Sequence, residues 1–184
     1  CILLLGGQSD YFPTLQTIFV YPAHFEVPRT QPLDGGMVIE TDEDLEGESW
    51  HRGPVVLSWQ NILKDAEFDD GRNVVFHEFA HQLDETESGA PPLPDRQTGR
   101  RWTEVMQREF DALRRAAAMG RRTLIDPYGA TSPAEFFAVL TETFFERPVE
   151  LREKHLELYD LMRIYYRQDP AVRFPDTQFQ PASE

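Results

Sequence analysis

The chain reads as an α+β protein with its strands first and its helices later. Three observations predict this. Short runs rich in β-branched and aromatic residues occupy the first third, TIFVY at 17–21 and PVVLSW at 54–59. Long stretches of good helix formers, punctuated by Pro and Gly, fill the rest. No segment repeats, so the pattern is one of strands followed by helices, not an array.

In chain order, CILLL at 1–5 is a further strand candidate. The segment holding Pro28, Pro32, Gly35 and Gly36 is looser, and the acidic tract at 40–48 that follows is expected to be a solvated loop. Its alternative is a charged lip on a cleft for basic ligands. A helix is predicted over 59–67, then one over 71–84 capped by Asp70. The Pro-rich loop ESGAPPLPDRQTGR separates it from a helix over 101–119 that stops at Gly120. Asp126-Pro127-Tyr128-Gly129 is turn-like, and helices over 133–146 and 149–167 follow.

At 184 residues the chain is expected to be a single domain, 1–184. Hydrophobic residues make up 40% and aromatics 12%, enough for a real core. No apolar run reaches the roughly 20 residues of a membrane helix, so no membrane partner is expected. One cysteine excludes an internal disulfide and a cysteine-based zinc site. A net charge of −14 argues against nucleic acid, whose phosphates require clustered Lys and Arg.

The strongest signal is VVFHEFAHQLD at 74–84. His77 and His81 lie four residues apart, hence on one helix face, where both rings can approach one cation. Glu78 points about 100° round the helix, away from the ligand position and beside a metal-bound water. Phe76, Phe79, Ala80 and Leu83 form an apolar stripe that fixes the opposite face in a core. The blander reading is a pair of hydrogen-bonded helix histidines, which the buried frame disfavours.

A hydrolytic zinc site needs a third protein ligand. His24, His51 and His155 do not have the spacing of a third-histidine motif. The helix SPAEFFAVLTETFFERP offers Glu135 and Glu142, two turns apart on one face. Ser132-Pro133-Ala134-Glu135 also fits a capping box, and Glu142 also fits an exposed helical position. Spacing alone leaves both open.

HEFAHQLD together with DPYGATSPAEFFAVLTETFF resembles the Mlc titration factor A (MtfA) family of zinc metallopeptidases. PVVLSW and the tryptophan-bearing segment before it add to the likeness, which runs along most of the chain. The resemblance implies a zincin-like fold, a small mixed sheet packed on the motif helix, and an N-terminal segment beyond this chain. It implies one Zn2+ ion held by His77, His81 and Glu135, with Glu142 left to a role behind the ligands or at the surface. Glu78 is then the general base, and Tyr128 a hydrogen-bond donor to the developing oxyanion. Asp84 either orients a ligand histidine or simply ends the helix. PVVLSW is the expected strand for an extended peptide to pair with.

The function implied is peptide-bond hydrolysis, aminopeptidase-like, in the cytoplasm. The competing reading is a regulator that sequesters a transcriptional repressor, Mlc, and a third is a metal-bound but idle scaffold. The intact Glu78 argues against idleness.

Overall fold

A computed structural model describes Phe12 and residues 15–22, 25–32, 38–45, 47–49, 54–67, 70–84 and 95–173. For the strands between 25 and 49 it defines the backbone pairing alone. Among the described residues five strands precede seven helices: β1 (Ile18–Tyr21), β2 (Phe25–Pro32), β3 (Val38–Leu45), β4 (Gly47–Ser49) and β5 (Val55–Ser58), then α1 (Trp59–Glu67) and α2 (Val74–Leu83). α3 (Arg96–Ala118), a 3-10 turn (Pro127–Ala130), α4 (Pro133–Glu146), α5 (Pro148–Lys154), α6 (Leu156–Tyr166) and α7 (Pro170–Arg173) complete it. The α+β class and the helical second half agree with the sequence; CILLL lies outside the described residues.

The sheet is mixed, in the order β1-β5-β4. β1 runs parallel to β5 with Ile18 opposite Val55, and β4 runs antiparallel with Gly47 opposite Leu57. The tract PVVLSW therefore forms the central strand, with both its edges already paired. That corrects its expected role as the strand an extended peptide would join, because strand addition needs a free edge. The acidic tract is also not a loop. Most of it is β3, paired antiparallel with β2 from Phe25 opposite Leu45 to Pro32 opposite Val38.

Three helix boundaries differ from expectation, each at an identifiable contact. Asp70 accepts from the Arg72 N–H at 3.0 Å, and Gly71 turns the chain with φ +86°. The helix then begins after Asn73, whose extended backbone and side-chain oxygen cap Phe76 N–H at 3.1 Å. α3 starts five residues early because Asp95 accepts from the Gln97 and Thr98 N–H groups. The predicted 149–167 helix is two helices. His155 leaves the helical region (φ −137°, ψ 56°) and its ring pairs with Glu109 of α3 at 3.1 Å.

The core lies where α2, α3, α4 and α6 meet. α4 is apolar nearly all round, with Phe136, Phe137, Leu140 and Phe144 fully buried. Each such side chain contributes about 1.5–3 kcal/mol on leaving water. Trp102 of α3 packs on Phe137, and Tyr159 and Tyr166 of α6 pack on Phe144. The α2 stripe of Phe76, Phe79 and Ala80 enters the same core, with Leu83 at its margin. Phe76 packs on Phe145 of α4, which brings the histidine-bearing side of α2 up to the same helix. Among the described residues no helix is long and apolar enough to cross a membrane.

Candidate metal centre

α2 and α4 bring together three atoms of a kind that can hold a metal ion. His77 Nε2 lies 3.0 Å from Glu135 Oε2 and 3.2 Å from His81 Nε2, and His81 Nε2 lies 3.5 Å from the same carboxylate oxygen. Of the described residues, this is the group of three with the arrangement to hold a metal ion. Four ligands placed tetrahedrally about 2.0–2.1 Å from zinc would stand roughly 3.3–3.4 Å apart, close to these separations.

The hydrogen bonding behind the triad points the same way. His77 Nδ1 lies 2.7 Å from Glu142 Oε1, so a neutral ring donating there turns its Nε2 lone pair toward Glu135 and His81. Three electron-rich atoms at such distances repel unless a cation or a proton lies among them. For the chain alone, that charge is a proton. Burial lowers the His77 pKa, but the hydrogen bonds to Glu135 and Glu142 outweigh it and raise the ring well above its ordinary 6.5. Burial likewise raises Glu135, and its bonds to His77 and His81 more than reverse that, leaving it well below the usual carboxylate range. A divalent cation meets the same demand by replacing the proton.

Glu142 is where sequence reasoning fell short. It is buried, not an exposed helical residue, and its second oxygen accepts the Asn73 N–H at 2.6 Å. One carboxylate thus ties a triad histidine and the first turn of α2 to α4. Asn73 adds a bond from its amide to Glu146 Oε1 at 2.7 Å. The available signal was chemical: a charge midway along an otherwise apolar helix must find a partner.

Glu78 lies 4% exposed beside the triad, and its Oε2 has no hydrogen-bond partner among the described residues. An orphaned buried oxygen fits a site completed by a group from outside the chain. Burial pushes its carboxyl up to about 7, against the charges of His77 and His81, which pull it down. Tyr128 sits on the 3-10 turn, 53% exposed, its ring centroid 6.0 Å from that of His77. Asp126 sets this turn by accepting the Tyr128 N–H at 2.9 Å. Ser132 caps α4 by accepting the Glu135 N–H at 3.1 Å, which holds Glu135 in the first turn. Asp84 is buried at the end of α2, its N–H donating to Ala80 O.

A cavity of about 450 Å3 opens beside these groups, with His77, Glu78, Tyr128, Arg72 and Arg147 in its wall. Neither arginine stood out in the sequence.

Comparison with known proteins follows the same line. The family described as glucose-regulated metallo-peptidase M90 matches residues 1–167. An uncharacterised protein of Synechocystis is 45% identical over 177 residues, covering 94% of this chain and 64% of that protein. Proteins named Mlc titration factor A are similar as well. That of Pectobacterium atrosepticum is 36% identical, over 96% of this chain and 68% of its own length. That of Serratia proteamaculans is 35% identical, over 100% and 71%. The chain therefore spans about two thirds of the length of these relatives.

Proposed function

Because the chain belongs to the glucose-regulated metallo-peptidase M90 family, we propose that it is a zinc-dependent, aminopeptidase-like enzyme that hydrolyses peptide bonds with water. The observation that carries this reading is the convergence of His77 Nε2, His81 Nε2 and Glu135 Oε2 beside a buried, unpartnered Glu78 oxygen. One Zn2+ held by those atoms would supply a Lewis acid and an acidified water.

The chain's own groups do the rest. Glu142 holds His77 in the tautomer and orientation that keep Nε2 free. Glu78, raised by burial toward neutrality, accepts a proton from the attacking water and returns it to the departing amine. Tyr128, on the open side of the cleft, donates its hydroxyl hydrogen to the carbonyl oxygen as negative charge builds there. The side of α2 behind the triad packs in the core, so substrate enters from the cavity side.

Metal analysis of the purified chain tests this together with a fluorogenic peptide panel run with and without chelator. About one zinc per chain is expected, with hydrolysis lost on chelation and restored by zinc. Chelator-resistant hydrolysis would sink the reading.

A second reading rests on the relatives' printed name, Mlc titration factor A. It makes this chain a cytoplasmic protein that binds and sequesters a repressor of that kind. A pull-down with the Glu78→Gln variant separates the two, since sequestration needs a surface and not hydrolysis.

A further inference from the structure

A second cavity, about 530 Å3, lies away from the triad. Its wall is built from α3, the segment 122–125, and Arg147, Lys154 and His155 at the two ends of α5. The floor is apolar, with Leu113, Leu124 and Ile125, of which Leu113 and Ile125 are deeply buried. The rim is basic, with Arg122, Arg147 and Lys154. Glu109 is the one carboxylate in the wall, and it is already engaged by His155 at 3.1 Å and by Arg108 at 3.0 Å. Arg147 reaches Glu150 at 2.5 Å. Arg122 and Lys154 have no carboxylate within ion-pair reach among the described residues.

This arrangement runs against the charge of the whole. The chain carries 32 acidic residues against 18 basic ones, yet three cations border a single apolar hollow. Small-molecule sites have this construction: an apolar lining of a few hundred Å3 with a small number of placed polar groups. An apolar floor offers nothing to a bare phosphate or sulfate. A basic rim offers little to a neutral hydrocarbon.

We propose that the cavity binds a small carboxylate with an apolar body. The carboxylate sits between Arg122 and Lys154, and the apolar part lies on Leu113, Leu124 and Ile125. The same chemistry is presented by a free organic acid and by the C-terminal residue of a short peptide. Thr123, Leu124 and Arg147 line both this cavity and the one beside His77 and Glu78, so either source is within the reach of the wall they share. Binding here does not depend on peptide hydrolysis.

The test is calorimetry on the full Glu78→Gln chain with three probes: N-acetyl-leucine, its amide and acetate. The acid is expected to bind at least about tenfold tighter than either of the others, a difference of about 1.4 kcal/mol. Arg122→Gln with Lys154→Gln should erase that preference while leaving the thermal melt unchanged, both side chains being exposed. Equal binding of acid and amide would overturn the proposal. So would tight acid binding that survives the double substitution, since Arg122 and Lys154 would then not hold the carboxylate. Methyl NMR provides the independent reading: the acid must shift Leu113, Leu124 and Ile125, and no shift there sinks the site. Peptides of four to eight residues ending in leucine acid then separate the sources. A peptide ligand perturbs those methyls and the His77 ring together; a free acid perturbs the methyls alone.

Discussion

His77 Nδ1 and Glu142 Oε1 lie 2.7 Å apart across 65 residues of sequence, and the other oxygen of the same carboxylate accepts the Asn73 N–H. Removing Glu142 therefore frees a triad ring and uncouples the start of α2 from α4. Glu142→Ala is expected to weaken zinc affinity about 10- to 100-fold, the usual cost of losing a partner behind a ligand. Glu135→Ala should cost far more, leaving no zinc bound after dialysis. Competition with a chelating dye measures both, and equal losses would mean that Glu135 is not the third ligand.

Glu78→Gln keeps the shape of the side chain and removes its ability to take a proton. Hydrolysis should fall by at least about 10²-fold, the low end of what a general base contributes. Zinc content and melting temperature should hold, since burial already disfavours charge at this position. Fluorogenic turnover alongside metal analysis checks the pair, and a variant that still cleaves at the native rate removes Glu78 from the mechanism.

Tyr128→Phe deletes one hydroxyl from an exposed ring and leaves its packing on the 3-10 turn in place. A donor to the oxyanion acts in the transition state, so kcat should drop about 10²-fold with KM nearly constant. A tyrosine that merely packs in the turn would leave both constants where they were.

The apolar stripe of α2, the Ser132–Pro133 start of α4 and the strand PVVLSW were readable because each rests on local chemistry: periodicity, capping and β-branching. What escaped depended on distance. Spacing could not choose between Glu135 and Glu142, because both share one face of α4 and only the packing of α2 sets one toward Nε2 and the other toward Nδ1. The acidic tract looked like a solvated loop since charge alone does not reveal a partner strand. The break at His155 follows from a contact with Glu109 on a helix 46 residues earlier, which no local pattern encodes.

Asp95 gives the clearest pH effect away from the triad. Its carboxylate accepts the Thr98 N–H and hydroxyl and the Gln97 N–H, which hold it below the ordinary 3.8. A depressed carboxyl stabilises the fold above its unfolded value, and that contribution is lost as pH falls through the folded one. Asp95→Ala should thus lower the urea midpoint at pH 7, and the gap to wild type should narrow below about pH 3.8. A gap that stays constant from pH 7 to pH 3 would assign the loss to backbone geometry and not to charge.

Asn73 and Asp70 make opposite claims about where the motif helix begins. Asn73 caps Phe76 through its side-chain oxygen and reaches Glu146 through its amide, whereas Asp70, among the described residues, serves the short turn to Arg72. Asn73→Ala should cost about 1 kcal/mol or more, the value of a lost N-cap. It should also loosen the hold on zinc, because the first turn that carries His77 is anchored there. Asp70→Ala should cost measurably less and leave zinc affinity unchanged. Paired urea denaturation and zinc competition decide it. If Asp70→Ala proves the more damaging substitution, the helix starts at 71 and the anchoring of His77 through Asn73 is wrong.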